Sequence, residues 1–257
     1  MFSPPQGLSP ASTPSLSGIT TLAGNPLFKS GWYQRAVLSN LAAGTTTLIT
    51  VPSGSVLVAT QRQYNGDFWI QVFNPTSATI TITGYIVPPS GTVGSGTLAY
   101  TVSIPANNKG TAVGAFLPVL PAGWSIALNT SAAGVNVVYD YILAPASALP
   151  VVAALISSPG TTPTTIVTAP SGSILVPATV DEVGVWVWNT STAAVTCNLY
   201  YVPAGGTATQ IDAGSVNAST SGALWSPALL PGDALQVSAS AAGVNAYAFL
   251  FEIPILT

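Results

Sequence analysis

The chain has 257 residues, enough for one large or two ordinary domains, and only 4% of them are charged, against about 25% in an average soluble protein. Hydrophobic residues reach 48% and mean hydropathy is +0.55, but the longest nearly uncharged apolar stretch, Tyr141 to Ile156, holds Pro145 and Pro150 and falls short of the ~18 residues of a spanning helix. Lys29, Arg35, Arg62 and Lys109 make no cationic patch, so a nucleic-acid partner is excluded along with the membrane helix.

Residues 1–34 are rich in Pro, Ser, Gly and Thr and follow no period, so they are expected as an extended N-terminal arm. The opening Met1-Phe2-Ser3-Pro4-Pro5-Gln6 has neither a basic nor an apolar region, and no secretory signal is expected. Residues 35–143 then show a period of two: Thr79-Ile80-Thr81-Ile82-Thr83 alternates strictly, and Gly, Pro, Asn and Ser turns recur at short intervals. Ala144 to Pro150 opens a Pro/Ala-rich connector, assigned to 144–158, and 159–257 repeats the preceding pattern.

The repeat is carried by ordered phrases. Pro52-Ser53-Gly54-Ser55 returns as Pro170-Ser171-Gly172-Ser173, and Phe73-Asn74 before Thr76-Ser77-Ala78 returns as Trp188-Asn189 before Ser191-Thr192-Ala193. Tyr85-Ile86-Val87-Pro88 returns as Tyr200-Tyr201-Val202-Pro203, and Leu120-Pro121 as Leu230-Pro231. Ser131 to Asn136 is repeated residue for residue as Ser240 to Asn245. A duplicated unit of roughly 100 to 115 residues follows, with small loop insertions between the matches. The fold class expected is all-β: two tandem antiparallel β-sandwiches, jelly-roll-like, behind the arm. An alternating barrel in lipid is the other reading of such strands, but Thr, Ser and Asn stand beside the apolar residues where aromatic girdles would be.

Aligned copies pose a puzzle about one strand. Ile70 and Val72 match Val185 and Val187, which should point into the core, while the alternate positions are Gln71 and Phe73 in one copy and Trp186 and Trp188 in the other. Three readings are open for Trp186 and Trp188: cover by another strand, the arm or the neighbouring domain; a contact between subunits; or a platform for a ligand.

Residue types for catalysis are missing. Without histidine there is no histidine-based triad, and with Cys197 as the single cysteine there is neither a disulfide nor a zinc cluster. Asp67, Asp140, Asp181, Glu182, Asp212, Asp233 and Glu252 are scattered, offering no calcium loop, and Asp181-Glu182 reads as a solvated turn. Gly205-Gly206 lacks the lysine of a phosphate loop. No enzyme, cofactor or metal is expected. A surface of Thr, Ser, Asn, Gln, Gly and Ala loses few ions' hydration on contact, which favours extensive subunit interfaces.

The second copy carries a run of phrases: Pro159-Gly160-Thr161-Thr162, Trp188-Asn189-Thr190-Ser191-Thr192-Ala193-Ala194-Val195-Thr196, Leu199 to Gly206, Leu230-Pro231-Gly232-Asp233-Ala234-Leu235-Gln236-Val237 and Ser240 to Asn245. It resembles β-sandwich modules of tailed-bacteriophage structural proteins, of the kind found in head decoration (cement) proteins, head fibres and tail-associated proteins; the resemblance covers 160–253 well and 44–143 less closely. It implies a virion location, a head-decorating role, the major capsid protein or other virion proteins as partners, and a homo-oligomer, a trimer fitting the local threefold positions of a capsid. Avidity over many equivalent sites would strengthen weak contacts. The arm is then a clamp anchored by Phe2, Leu8, Leu22, Leu27 and Phe28, or else packs on its own domain. Two alternatives stand beside decoration: a tail or fibre component recognising host glycan, with Trp69, Trp124 or Trp225 stacking on sugar rings, and a shell-forming capsid protein.

Overall fold

The computed structural model describes residues 33–59, 70–113, 119–148, 150–178 and 183–255. The arm with Phe2, Leu8, Leu22, Leu27 and Phe28 lies outside these residues, as do Trp69, Asp67, Asp181 and Glu182.

Among the described residues the first half contains β1 (Tyr33–Leu41), β2 (Gly44–Thr50), β3 (Ser55–Ala59), β4 (Ile70–Asn74), β5 (Ile80–Val87), β6 (Leu98–Ile104), β7 (Asn108–Val113), β8 (Val119–Pro121), β9 (Ser125–Thr130) and β10 (Val135–Pro145), with a 3-10 turn at Ser95–Thr97. The second contains β11 (Val151–Ser157), β12 (Thr164–Thr168), β13 (Ser173–Pro177), β14 (Val183–Asn189), β15 (Val195–Val202), β16 (Thr209–Val216), β17 (Ser221–Trp225), β18 (Ala234–Ala239) and β19 (Val244–Pro254). Strands run β1-β10-β4-β7 opposite β2-β9-β5-β6 in one half, and β11-β19-β14-β17 opposite β12-β18-β15-β16 in the other. All these pairings are antiparallel, and their order is that of a jelly roll. The chain is therefore two tandem jelly rolls with one topology.

Each half carries an extra wing on its first sheet. The C-terminal end of β10 pairs with β3, which pairs with β8; the end of β19 pairs with β13, which bridges to Leu229 through Leu175. The bridge equates Leu120 with Leu229, so the Leu-Pro match in the sequence is displaced by one residue: Pro121 corresponds to Leu230. Turn hydrogen bonds agree, since Gly123 N–H donates to Val51 O and Gly232 N–H to Ala169 O. The connector also differs from expectation. Residues 144–158 contain the end of β10 and all of β11, which pairs with β19 from Val151↔Phe251 to Ser157↔Asn245, as β1 pairs with β10. The apolar run Val151-Val152-Ala153-Ala154-Leu155-Ile156 hid this strand because both of its faces are partly covered.

Conserved geometry extends to the turns. Asn40, at the end of β1, and Ser158, just after β11, both have left-handed backbones (φ 53° and 54°), and Gly134 and Gly243 (φ 102° and 89°) close the matching turns before β10 and β19. Asn74 and Asn189 are completely buried at the β4–β5 and β14–β15 corners. Asn74 donates through Nδ2 to the carbonyls of Ala78, Ile104 and Pro105, while its Oδ1 accepts from Thr76 N and Oγ1. Asn189 donates to Ala193 O and Val216 O and accepts from Ser191 N and Oγ. A β-sandwich must turn its chain between sheets, and each asparagine supplies the polar partners that the turning backbone loses.

Candidate interaction surfaces

The two cores are separated by a single sheet. Along β19, Val244, Ala246, Ala248 and Leu250 join the core of the second jelly roll, whereas Tyr247, Phe249 and Phe251 join the core cluster of the first. On β14, Val185 and Val187 face their own core, and Trp188 with the half-buried Trp186 packs on the first-half cluster. Alternation of side chains lets one strand serve two cores. Small aliphatic residues line one side and aromatic residues the other, with Tyr247 and Phe249 stacked at 6.0 Å. The paired tryptophans are thus accounted for inside the chain, by the neighbouring domain, and not as an exposed platform.

Hydrogen bonds fasten this seam to the 3-10 turn of the first half. Asn245 Nδ2 donates to Ser95 O (2.6 Å) and Leu98 O (2.9 Å), Tyr247 Oη donates to Leu98 O (3.1 Å), and Ser157 Oγ donates to Gly96 O (2.5 Å). Burial raises the Tyr247 pKa, keeping the phenol a donor. Nearby, Tyr100 lies across Gly84, whose absent side chain makes room for the ring: a Cβ there would sit 2.0 Å from the ring carbon Cζ.

Register equates Tyr247 with Val138, Phe249 with Asp140, Ala153 with Arg35 and Leu155 with Val37. At the corresponding positions the first half carries, in place of Phe249 and Ala153, a bidentate ion pair between the buried Asp140 and the partly exposed Arg35, Arg35 Nε to Asp140 Oδ1 (2.7 Å) and Nη2 to Oδ2 (2.9 Å).

The described acids are engaged in structure. Asp233, buried at 4% exposure where the first half has Trp124, accepts from Tyr201 Oη (2.6 Å), Ala204 N (2.9 Å) and Leu230 N (2.9 Å). Burial acts to raise its pKa, but these donors outweigh it and hold the carboxyl below its ordinary value. A depressed pKa stabilises the fold fully above the unfolded value of about 3.9 and loses that contribution as pH falls toward the folded one. Asp233→Asn is accordingly expected to lower stability at pH 7 and to flatten the fall in melting temperature below about pH 4. An unchanged acid slope in thermal melts would remove Asp233 from this role. Asp212 accepts from Ala213 N and Trp225 N, and Glu252 from Ser173 Oγ. Cys197 is buried, and desolvation pushes its thiol up to about 11, away from nucleophilic use. Among the described residues no group of three His, Cys, Asp or Glu could hold a metal ion, and no helix is long and apolar enough to cross a membrane.

Of the tryptophans considered for sugar stacking, Trp124 is buried in the first core and Trp225 is 44% exposed on β17. Other exposed large apolar side chains are Val37, Val93, Leu230, Ile253 and Ile255. Composition could not single these out, because nearly half the chain is hydrophobic.

No family matches this sequence, and no curated protein does. Among solved structures, similarity extends to the infectious bursal disease virus Gx strain (13% identity, 86% of this chain and 72% of that one, TM-score 0.24). It extends also to Sulfolobus turreted icosahedral virus (10%, 87% and 91%, TM-score 0.29), and to an oxalate decarboxylase (9%, 92% and 81%, TM-score 0.18). At these TM-scores the likeness is too low to transfer a function.

Proposed function

We propose that this chain is a non-enzymatic virion structural protein that decorates and stabilises a bacteriophage capsid, held by its N-terminal arm and by contacts between copies. The observation that supports this reading is the shared wall: two jelly rolls are welded through β14 and β19 into one unit, while the described acids are each engaged in local hydrogen bonds or an ion pair. The phage-module phrases of the second half point the same way, and a nearly uncharged surface suits a protein that loses hydration over wide contacts.

Deleting residues 2–28 is expected to abolish attachment to particles while leaving the circular dichroism spectrum and melting of the double jelly roll unchanged. Full occupancy of particles by the truncated chain, seen by electron microscopy, would refute the clamp. The same images distinguish decoration from a few copies at a tail and from a complete shell. Recognition of a host glycan is the second reading, favoured by the exposure of Trp225. Binding on a glycan array that Trp225→Ala removes would replace decoration with that function.

A further inference from the structure

The wing of the first half is a filled socket. Tyr139 Oη donates across the sandwich to Leu48 O of β2, so the odd residues of β10 face inward. Val58↔Ile142 and Val56↔Ala144 then face outward, and so does Val119, opposite Val58. All five are nevertheless buried, in a cluster with Val151, Ala153 and Leu155 of β11 and Phe249 and Phe251 of β19. What covers this wing is the outer face of a strand pair, β11–β19, from the other jelly roll.

The wing of the second half is built from β13 and the end of β19, with a single bridge at Leu229 where the first has β8, and has no such cover among the described residues. Ile174 pairs with Ile253, the register places Leu230 beside them, and Ile255 N–H donates to Gly172 O one step further along. Leu230, Ile253 and Ile255 are 56%, 44% and 42% exposed. This stripe runs on without interruption from Val176 and Phe251, which already lie against the first half. This wing carries four large aliphatic side chains, Ile174, Leu230, Ile253 and Ile255, where the outer face of an uncovered antiparallel sheet is ordinarily polar.

We propose that the outer face of the second wing, formed by Ile174, Leu230, Ile253 and Ile255, docks on the outer face of β1–β10 around Val37 and Val138 of a second copy. β1–β10 is the equivalent of β11–β19, the pair that fills the first socket. Val37 is 59% exposed and stands opposite the half-buried Val138. Arg35 and Asp140, the next outward pair along that face, are matched to each other by two hydrogen bonds, so docking beside them buries no unmatched charge. Each copy offers one wing and one face, a heterologous contact that closes into a ring, a trimer included, or continues as an open chain. The contact does not depend on where the protein acts.

Two full-length variants test it: Leu230→Asp/Ile253→Asp on the wing and Val37→Asp on the face, examined by native mass spectrometry and light scattering over a concentration series. Wild type is expected to assemble, and each variant alone to be monomeric with an unchanged spectrum, its association weakened at least tenfold. An equimolar mixture is expected to form a one-to-one dimer and stop there, because one intact wing meets one intact face. Should the aspartates unfold the wing, Leu230→Ser/Ile253→Thr is the milder pair, with the same expectation. Monomeric wild type at high concentration, variants that assemble normally, or a mixture that stays monomeric would each overturn the proposal. So would loss of assembly on deleting residues 2–28, which would make the arm the occupant.

Discussion

Trp188→Ala is expected to destabilise the protein by about 3–5 kcal/mol, whereas Phe73→Ala at the equivalent position should cost about 1 kcal/mol. Trp188 is 5% exposed and fills the seam, so truncation removes its transfer free energy and leaves a cavity between two rigid sheets. Phe73 is half-buried on a face that meets solvent, where water replaces the lost ring. Chemical denaturation of both variants, with fluorescence and circular dichroism followed together, measures the difference. Equal losses would mean that the aromatic face is not held by the first half. The Trp188 variant should also separate the unfolding of the halves, giving transitions that no longer coincide between probes.

Asn74→Ala and Asn189→Ala are each expected to cost about 3 kcal/mol, because each removes the amide that donates to a carbonyl in the interior, Ile104 O at one corner and Val216 O at the other. The two corners share their geometry down to the Thr76 and Ser191 hydroxyls, which accept from and donate to the same backbone groups two residues on. Their costs should therefore agree closely. Urea titration of the single variants checks the magnitude. A loss under 1 kcal/mol at either corner would show that water takes the place of the amide.

Much of this fold is legible in the residues. Strict alternation at Ile80-Thr81-Ile82 marks β5, and the two copies of Ser-Ala-Ala-Gly-Val-Asn mark the turns into β10 and β19. The matched Phe-Asn and Trp-Asn phrases mark the buried corners, though not their purpose, which depends on carbonyls up to 31 residues away. The shared wall was half legible. Val185 and Val187 against Trp186 and Trp188 state that both faces of β14 are apolar, but sequence cannot name what lies on the second face. Strand β11 is hidden for the same reason: a strand covered on two sides has no alternation to read. The second wing gives a signal only in retrospect, as the unbroken alternation Phe251-Glu252-Ile253-Pro254-Ile255, since an isoleucine at an edge and one in a socket are spelled alike.

The shared wall also imposes an order in time. Tyr247, Phe249 and Phe251 belong to the first core, and Val244, Ala246, Ala248 and Leu250 to the second, yet all seven arrive on one strand. On the ribosome the second interior cannot close until β19 has emerged, and until then the first jelly roll keeps its outward wing of Val56, Val58 and Val119 bare. Cells making this protein would have to shield that nascent surface, and truncated products ending before residue 244 would be lost to aggregation as whole chains, not retained as a working half.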